Sequence, residues 1–280
     1  CLARRVVGAR FDSVGASLST LLATVAGNLF ELGEVTGLRL LDIDFTAEHA
    51  ARFAGPQFGI EGTRRKAGVH GRPMIGSIVK PSIGLTPEDT AAVVDALCAA
   101  DIDFIKDDEL NVDPAYAPFE ARLAAVMPVL HRHAERIGRM PMYAINISGG
   151  IDEMRRRHDA VLRQGGSCVM VSVNAVGIAG VEHLHVNGRR GKFWEPDDSV
   201  IASARALLEP FSGVLPIVPV FSSGQWGGQA PDMYAALRST DLMHLAGGGI
   251  IAHPQGIAAG VTAMREAWHA AIEGVSLESF

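Results

Sequence analysis

The sequence predicts an α/β protein of the TIM (β/α)8-barrel type, and three observations lead to this fold class. From residue 73 onwards, short apolar runs alternate with longer segments of helical periodicity, which is typical of a parallel sheet covered by helices. Polar and glycine-rich residues follow nearly every strand, at the end where such barrels carry their active sites. No G-x-G-x-x-G motif opens a helix after the first strand, which disfavours a dinucleotide-binding fold.

The predicted elements alternate along the chain. The first helix opens at Thr86-Pro87-Glu88-Asp89, a favourable cap with proline in the first turn. The other predicted helices cover residues 118–136, 152–164, 199–208, 231–237 and 258–273. The predicted strands cover residues 74–79, 103–106, 142–147, 168–173, 183–186, 217–221 and 242–246.

The fourth and fifth of these strands are joined by too short a connection. Only residues 174–182 separate them, whereas a parallel crossover needs about a dozen residues or more. Seven strands are also one fewer than the eight of a closed barrel. We therefore expect one βα unit to be missing after Gly180, and the sequence leaves open whether this loss is natural.

Residues 1–66 lack the alternation of strands and helices and are expected to form a partial amino-terminal α+β domain, before a barrel domain at 67–280.

Composition and charge narrow the class of protein. A net charge of −6 without a long basic run argues against nucleic-acid binding. Neither a signal peptide nor a membrane-length apolar run is evident. Cys98 and Cys168 lie in apolar contexts, which suits core thiols in a reducing cytoplasm.

The densest group of charges follows the second strand, at residues 103–109. Side chains alternate along a strand, so Lys106 and Asp108 point the same way, and a turn after Asp108 brings Glu109 beside them. Carboxylates are hard oxygen ligands that suit Mg²⁺. The lysine can join such a site only if its charge is removed or reversed, for instance by CO₂ to give a carbamate. A solvated, charge-rich turn is the alternative.

Other candidate residues also stand at strand ends. Lys80 follows the first strand and would be an acid or base near a bound metal, or else a surface lysine. His183 and His185 share one face of the fifth strand, where they are site residues or buried, hydrogen-bonded histidines. Lys192 lies in a cationic, glycine-flanked loop that is typical of a lid closing over an anion.

Two glycine-containing turns follow the last two strands. Ser222, Ser223 and Gly224 end one strand, and Gly247 and Gly248 end the other. Consecutive glycines let backbone N–H groups converge on phosphate oxygens, and phosphate sites of TIM barrels usually lie at these strands. Tight turns use the same residues, so phosphate binding is the favoured of two interpretations.

Taken in order, these motifs resemble those of the ribulose-bisphosphate carboxylase (RuBisCO) large-chain family, and most closely those of RuBisCO-like proteins. Lys80-Pro81 is similar to the first catalytic lysine motif and residues 104–109 to the metal motif. Residues 183–192 are similar to the sixth strand with its closing loop. Residues 24–28 resemble the segment whose asparagine completes the partner subunit's site. The missing unit would then be the fifth.

This resemblance implies a carbamylated Lys106 that binds Mg²⁺ together with Asp108 and Glu109. It also implies a homodimer and a phosphorylated sugar or sugar-acid substrate. The implied catalytic residues are Lys80, Lys106, His185 and Lys192. The implied substrate- and phosphate-binding residues are Asn28, Ser222, Ser223, Gly224, Gly247 and Gly248.

Departures from the family pattern decide which reaction is expected. Ser82 stands where carboxylases carry a second lysine, and the closing loop has Asn187, Arg189 and Arg190 in place of small and apolar residues. The resemblance thus implies a Mg²⁺-dependent lyase or isomerase that acts on a phosphorylated sugar ketone or keto acid through an enediolate, with decarboxylation in carbohydrate catabolism preferred. The alternatives are an authentic carboxylase, a methionine-salvage enolase acting on 2,3-diketo-5-methylthiopentyl-1-phosphate, and a non-catalytic assembly protein.

Overall fold

The structure, a computed structural model, describes residues 51, 53–172, 181–192, 195–210 and 215–277. Within these ranges seven strands form one parallel sheet. The strands are β1 Met74–Ile78, β2 Phe104–Lys106, β3 Met142–Asn146, β4 Cys168–Met170, β5 His183–His185, β6 Val218–Phe221 and β7 Met243–Leu245. The helices are α1 Gly59–Ala67, α2 Pro87–Ala99, α3 Phe119–Ile137, α4 Ile151–Arg163, α5 Asp197–Leu208, α6 Ala230–Leu237, α7 Gly247–Ile251 and α8 Ile257–Glu273.

The strand order is that of a barrel opened at one seam. It runs β4-β3-β2-β1-β7-β6-β5, so the first strand pairs with both the second and the last. The two edge strands are consecutive in the chain, and residues 173–180 between them lie outside the described ranges. The predicted barrel-type α/β fold is confirmed. The seam falls where the missing fifth unit is expected, and that unit stays a prediction.

Two apolar layers explain why the strands read as nearly continuous hydrophobic runs. One layer lies between the sheet and its helices, with Ile75, Ile105, Leu123 and Trp268 among its buried residues. The other joins the opposite faces of β1, β2, β3, β6 and β7 through residues such as Phe104. A parallel sheet buried on both faces is expected to show this pattern.

Helix α1 is held at the amino-terminal end of the sheet by distant polar groups. The Glu182 carboxylate, just before β5, accepts hydrogen bonds from the backbone N–H groups of Gln57 (2.7 Å), Phe58 and Gly59 (2.7 Å). A carboxylate suits the positive end of a helix. Arg64 donates to Asp241 (2.9 Å), just before β7. The helix therefore connects the segments that enter β5 and β7.

Apart from element ends that shift by one or two residues, sequence and structure differ in two helices, in the fourth strand and at the domain boundary. Helix α1 and the short α7 were not predicted, because α1 depends on the distant Glu182 cap and α7 begins with three glycines of low helix propensity. The fourth strand ends at Met170 rather than at residue 173, and residue 173 itself is outside the described ranges. The predicted boundary between 66 and 67 falls within α1, and the two-domain division stays a prediction.

Residues 1–50, including Asn28, are outside the part of the chain that the structure describes. Across the part that it does describe, every helix is too short or too polar to cross a lipid bilayer.

Two histidines, the buried His244 and the partly buried His183, make the stability of this fold sensitive to acid. Burial lowers the pKa of His244 to about 3 and that of His183 to about 4. Unfolded histidine titrates near 6.5, so below about pH 6.5 the unfolded state binds more protons. We expect the free energy of unfolding to fall with decreasing pH by up to about 1.4 kcal/mol per pH unit for each histidine.

Urea unfolding between pH 7 and pH 5 measures this effect. His244 accepts a hydrogen bond at Nδ1 from Trp268 Nε1 (2.9 Å). The His244→Gln variant should show a shallower loss of stability in acid than the unaltered protein. The matched control, His158→Gln at an exposed position of α4, should leave the slope unchanged. A full slope in His244→Gln would assign the acid sensitivity to other groups.

Candidate active site

Most of the predicted site residues lie at the carboxyl end of the sheet. Lys80 follows β1, Lys106 ends β2, and Asp108 and Glu109 come directly after it. His185 ends β5, and Ser222 follows β6. Parallel strands bring their carboxyl ends to one edge, so chain segments far apart in sequence meet at this mouth.

Lys106 is buried although its partner carboxylate is exposed. Only 7% of Lys106 is accessible, whereas the Glu109 side chain is 60% accessible. Lys106 Nζ donates to Glu109 Oε1 (2.6 Å) and to the carbonyl oxygen of Asp107 (3.0 Å), and it lies 3.5 Å from Met170 Sδ on β4. The amine thus points from β2 towards β4, at the mouth of the barrel.

Asp108 forms a second ion pair with a lysine from the neighbouring strand end. Lys80 Nζ lies 2.6 Å from Asp108 Oδ2 and 2.7 Å from Ser82 Oγ. The Ser82 hydroxyl donates to the same carboxylate oxygen (3.0 Å), and Leu110 N–H donates to Asp108 Oδ1 (3.1 Å). Ser82 therefore joins Lys80 to Asp108.

Both carboxylates are held in the charged form. Burial raises the pKa of Asp108, but hydrogen bonds from Lys80, Leu110 and Ser82 outweigh it, so the net pKa is lowered. Burial likewise raises the pKa of Glu109, and the Lys106 cation lowers it below its usual value. Two carboxylates and two ammonium groups therefore balance one another at the mouth.

The residues fit a divalent cation in charge and chemistry. The ammonium groups of Lys80 and Lys106 neutralise the same two carboxylates that a cation would neutralise. Conversion of the Lys106 amine to a carbamate would replace its positive charge by oxygen donors next to Glu109, which gives the hard ligands that Mg²⁺ prefers. In the described ranges, groups of three histidine, cysteine, aspartate or glutamate residues suited to a metal are absent.

His185 connects this charge cluster to the β6 turn. Its Nε2 shares a hydrogen bond with Ser222 Oγ. Desolvation lowers the pKa of His185, the Lys106 cation lowers it further, and Glu109 and Glu195 oppose the shift. His183, by contrast, contacts Thr63 of α1 (3.1 Å) and the ring of Phe104. The structure therefore places His185 beside the charged residues of the mouth and the partly buried His183 against α1.

The other predicted residues that the structure describes lie on the turns after β6 and β7 and in the loop that carries Lys192, whereas Asn28 is outside the described ranges. Lys192 N–H donates to the carbonyl oxygen of Ser223 (3.4 Å), and Ser223 and Gly224 have left-handed backbone conformations with φ of 74° and 76°. A Cβ atom at Gly247 would stand 3.5 Å from Cγ of Lys80. Gly247 and Gly248 begin α7, whose first N–H groups have no partner within the helix. The β7 turn thus borders Lys80, and the β6 turn contacts His185 and the Lys192 backbone.

Comparison with known proteins identifies the class to which this barrel belongs. Residues 59–193 and 178–280 match the family described as ribulose bisphosphate carboxylase large chain, catalytic domain. The chain belongs to the RuBisCO large-chain family, as its motifs predicted. The prediction that the chain is an enzyme of the RuBisCO superfamily is confirmed.

Two curated proteins and one solved structure are similar to most of the chain. The chain is 50% identical to the 3-oxo-isoapionate-4-phosphate transcarboxylase/hydrolase of Xanthobacter autotrophicus, over 95% of this chain and 75% of that protein. It is 39% identical to the 3-oxo-isoapionate-4-phosphate decarboxylase of Rhizobium etli, over 96% and 76%. The crystal structure of a rubisco-like protein from Burkholderia fungorum superposes with a TM-score of 0.90 at 43% identity, covering 96% of this chain and 78% of that one.

The alignments also bear on the length of the barrel. The first of them runs over 312 positions, more than the 280 residues of this chain, so that relative has residues without a counterpart here. The two segments that match the family overlap at residues 178–193, next to the seam between β4 and β5. The missing unit after Gly180 stays a prediction.

Proposed function

We propose that this chain removes carbon dioxide from a phosphorylated 3-oxo sugar acid of the 3-oxo-isoapionate-4-phosphate class, through an enediolate. The observation that carries this proposal is the pairing of Asp108 with Lys80 and of Glu109 with Lys106 at the barrel mouth (both 2.6 Å). This arrangement combines a cation-binding group with a proton donor. The names of the relatives in Xanthobacter and Rhizobium support the substrate class.

Anchoring of the substrate falls to the turns after the last two strands. The N–H groups at Gly247 and Gly248 and the Ser222–Gly224 turn offer hydrogen-bond donors to a phosphate or carboxylate. Lys192, next to the Ser223 carbonyl, adds a positive charge at the same edge. We include Asn28 from a second copy of the chain as a further substrate contact, which makes a homodimer the proposed working unit.

The charged residues provide the chemistry. Lys106 as a carbamate, with Asp108 and Glu109, would hold Mg²⁺, and the bound ion supplies Lewis-acid stabilisation of negative charge on the substrate oxygens. When the carbon–carbon bond to the carboxylate breaks, its electron pair passes into the substrate's enediolate. Lys80, an ammonium 2.6 Å from Asp108, then donates a proton to carbon. Ser82 orients the Lys80 amine throughout.

A direct assay tests this proposal. The protein, incubated with bicarbonate and Mg²⁺, should release CO₂ from 3-oxo-isoapionate 4-phosphate and lose this activity after chelation by EDTA. The same preparation should neither fix labelled CO₂ into ribulose bisphosphate nor enolise 2,3-diketo-5-methylthiopentyl-1-phosphate. Product analysis separates simple decarboxylation from the transcarboxylation and hydrolysis for which the Xanthobacter relative is named. Failure to turn over any of these sugar phosphates would favour the non-catalytic assembly protein.

A further inference from the structure

We propose that the buried Asp107, together with Tyr143, Arg122 and Asn146, positions Asp108 and Glu109 for metal binding. This group, here called the Asp107 clamp, lies at the end of β2 on the side of the sheet that faces α3. The inference rests on the proposed metal site, and it assigns a role to the one carboxylate of residues 107–109 that the site itself does not use.

The Asp107 carboxylate is fully buried and fully hydrogen-bonded. It accepts from the Tyr143 hydroxyl at Oδ1, and from Asn146 N–H (2.9 Å) and Arg122 Nε (3.3 Å) at Oδ2. Alternation along the strand explains why Asp107 points away from Lys106 and Asp108. Its side chain and that of Arg122 both have 0% exposure.

Asn146 transmits this arrangement to the ligand-bearing backbone. Its side-chain Nδ2 donates to the carbonyl oxygens of Asp108 (3.2 Å) and Glu109 (3.4 Å). Its Oδ1 accepts from Ser148 N–H (3.0 Å), which fixes the orientation of the amide. The peptide groups of both proposed ligands are therefore fastened to the end of β3.

Arg122 fastens the following loop to the same carboxylate. From α3 it reaches Asp107 and also donates to the carbonyl oxygens of Ala117 (2.9 Å), Asn111 (2.9 Å) and Val112 (3.0 Å). The chain leaving Glu109 is thus held at several points. The Asp108–Glu109 turn is braced from β3 on one side and from α3 on the other.

Energetics favour a positioning role over a purely stabilising one. A buried ion pair often adds no net stability relative to apolar residues of similar volume. Mutation of residues that hydrogen-bond to a metal's ligands, in contrast, typically changes metal affinity by about 10–100-fold. The Asp107 clamp is hydrogen-bonded to the backbone of both proposed carboxylate ligands, so it belongs to this kind of residue.

The experiment measures Mn²⁺ affinity by electron paramagnetic resonance in bicarbonate-saturated protein, alongside urea unfolding. We expect Asn146→Ala and Tyr143→Phe each to weaken Mn²⁺ binding by about 10–100-fold. The matched control is Asp103→Asn, at the other end of the same strand, where a buried carboxylate accepts from Ile75 N–H (2.8 Å) and Arg72 Nη2 (2.9 Å). This control should lose stability but keep the Mn²⁺ affinity of the unaltered protein.

The outcomes distinguish this inference from the proposed function. Unchanged Mn²⁺ affinity in Tyr143→Phe, the milder change that keeps the ring in place, would overturn the positioning role and leave the metal site intact. Equal weakening in Asp103→Asn would overturn it too, because a general loss of stability would then explain the effect. Absence of Mn²⁺ binding in the unaltered protein would overturn the metal site, and the positioning role with it.

Discussion

Replacement of Lys106 by arginine is expected to lower kcat/KM for CO₂ release by at least about 10³-fold. Arginine keeps the positive charge but does not form a carbamate with CO₂, and its guanidinium is effectively always protonated. At this buried position, 2.6 Å from Glu109, it would remain a cation among the groups that should hold Mg²⁺. Charge repulsion would then exclude the metal.

Steady-state assays with and without bicarbonate check this expectation. The matched control is Lys66→Arg on α1, where Lys66 Nζ lies 5.1 Å from the centre of the Phe58 ring and away from the site. That variant should retain full activity. Lys106→Arg activity that is close to normal and still dependent on Mg²⁺ would disprove the carbamate, and the metal would have to be held without this residue.

Replacement of Lys80 by methionine is expected to lower kcat by about 10²–10⁴-fold, the usual contribution of a general acid or base. The methionine side chain keeps much of the apolar stem but has no proton to donate. Metal affinity should be retained or increased, because the ammonium that pairs with Asp108 is gone. Measurement of kcat, KM and the Mn²⁺ dissociation constant separates these effects.

The control for Lys80 is its own hydrogen-bond partner. Ser82→Ala removes the hydroxyl that contacts both Lys80 and Asp108 but leaves the amine in place. We expect a much smaller loss of kcat in this variant. If Lys80→Met raises KM and leaves kcat unchanged, Lys80 binds the anionic substrate and another group, such as His185, donates the proton.

The carboxyl-end location of the candidate residues was predictable because it depends on local sequence. Strand alternation placed Lys106 and Asp108 on one side, and the turn after Asp108 brought Glu109 to Lys106. Helix α1 was missed because Glu182, over a hundred residues further along the chain, caps it. Periodicity describes how an element repeats within itself, and it carries no information about such distant caps.

Asp107 shows the same limit at the site itself. The sequence places it beside two candidate ligands, and alternation alone shows that it faces away from them. A buried aspartate needs partners, which was the available signal, but periodicity does not name Tyr143 or Arg122. The register of β2 on β3, with Lys106 opposite Ala144, brings Asp107 to the Asn146 N–H group.

The sequence by itself determined the parallel α/β architecture, the strand ends that carry chemistry and the family to which the chain belongs. Each of these depends on residues that are neighbours in the chain. Only the tertiary structure decided that Lys80 pairs with Asp108, that His185 contacts Ser222 while His183 contacts Thr63 of α1, and that Asp107 is clamped behind the site. These contacts join different strands and helices, so they exist only once strand register and helix packing have been established.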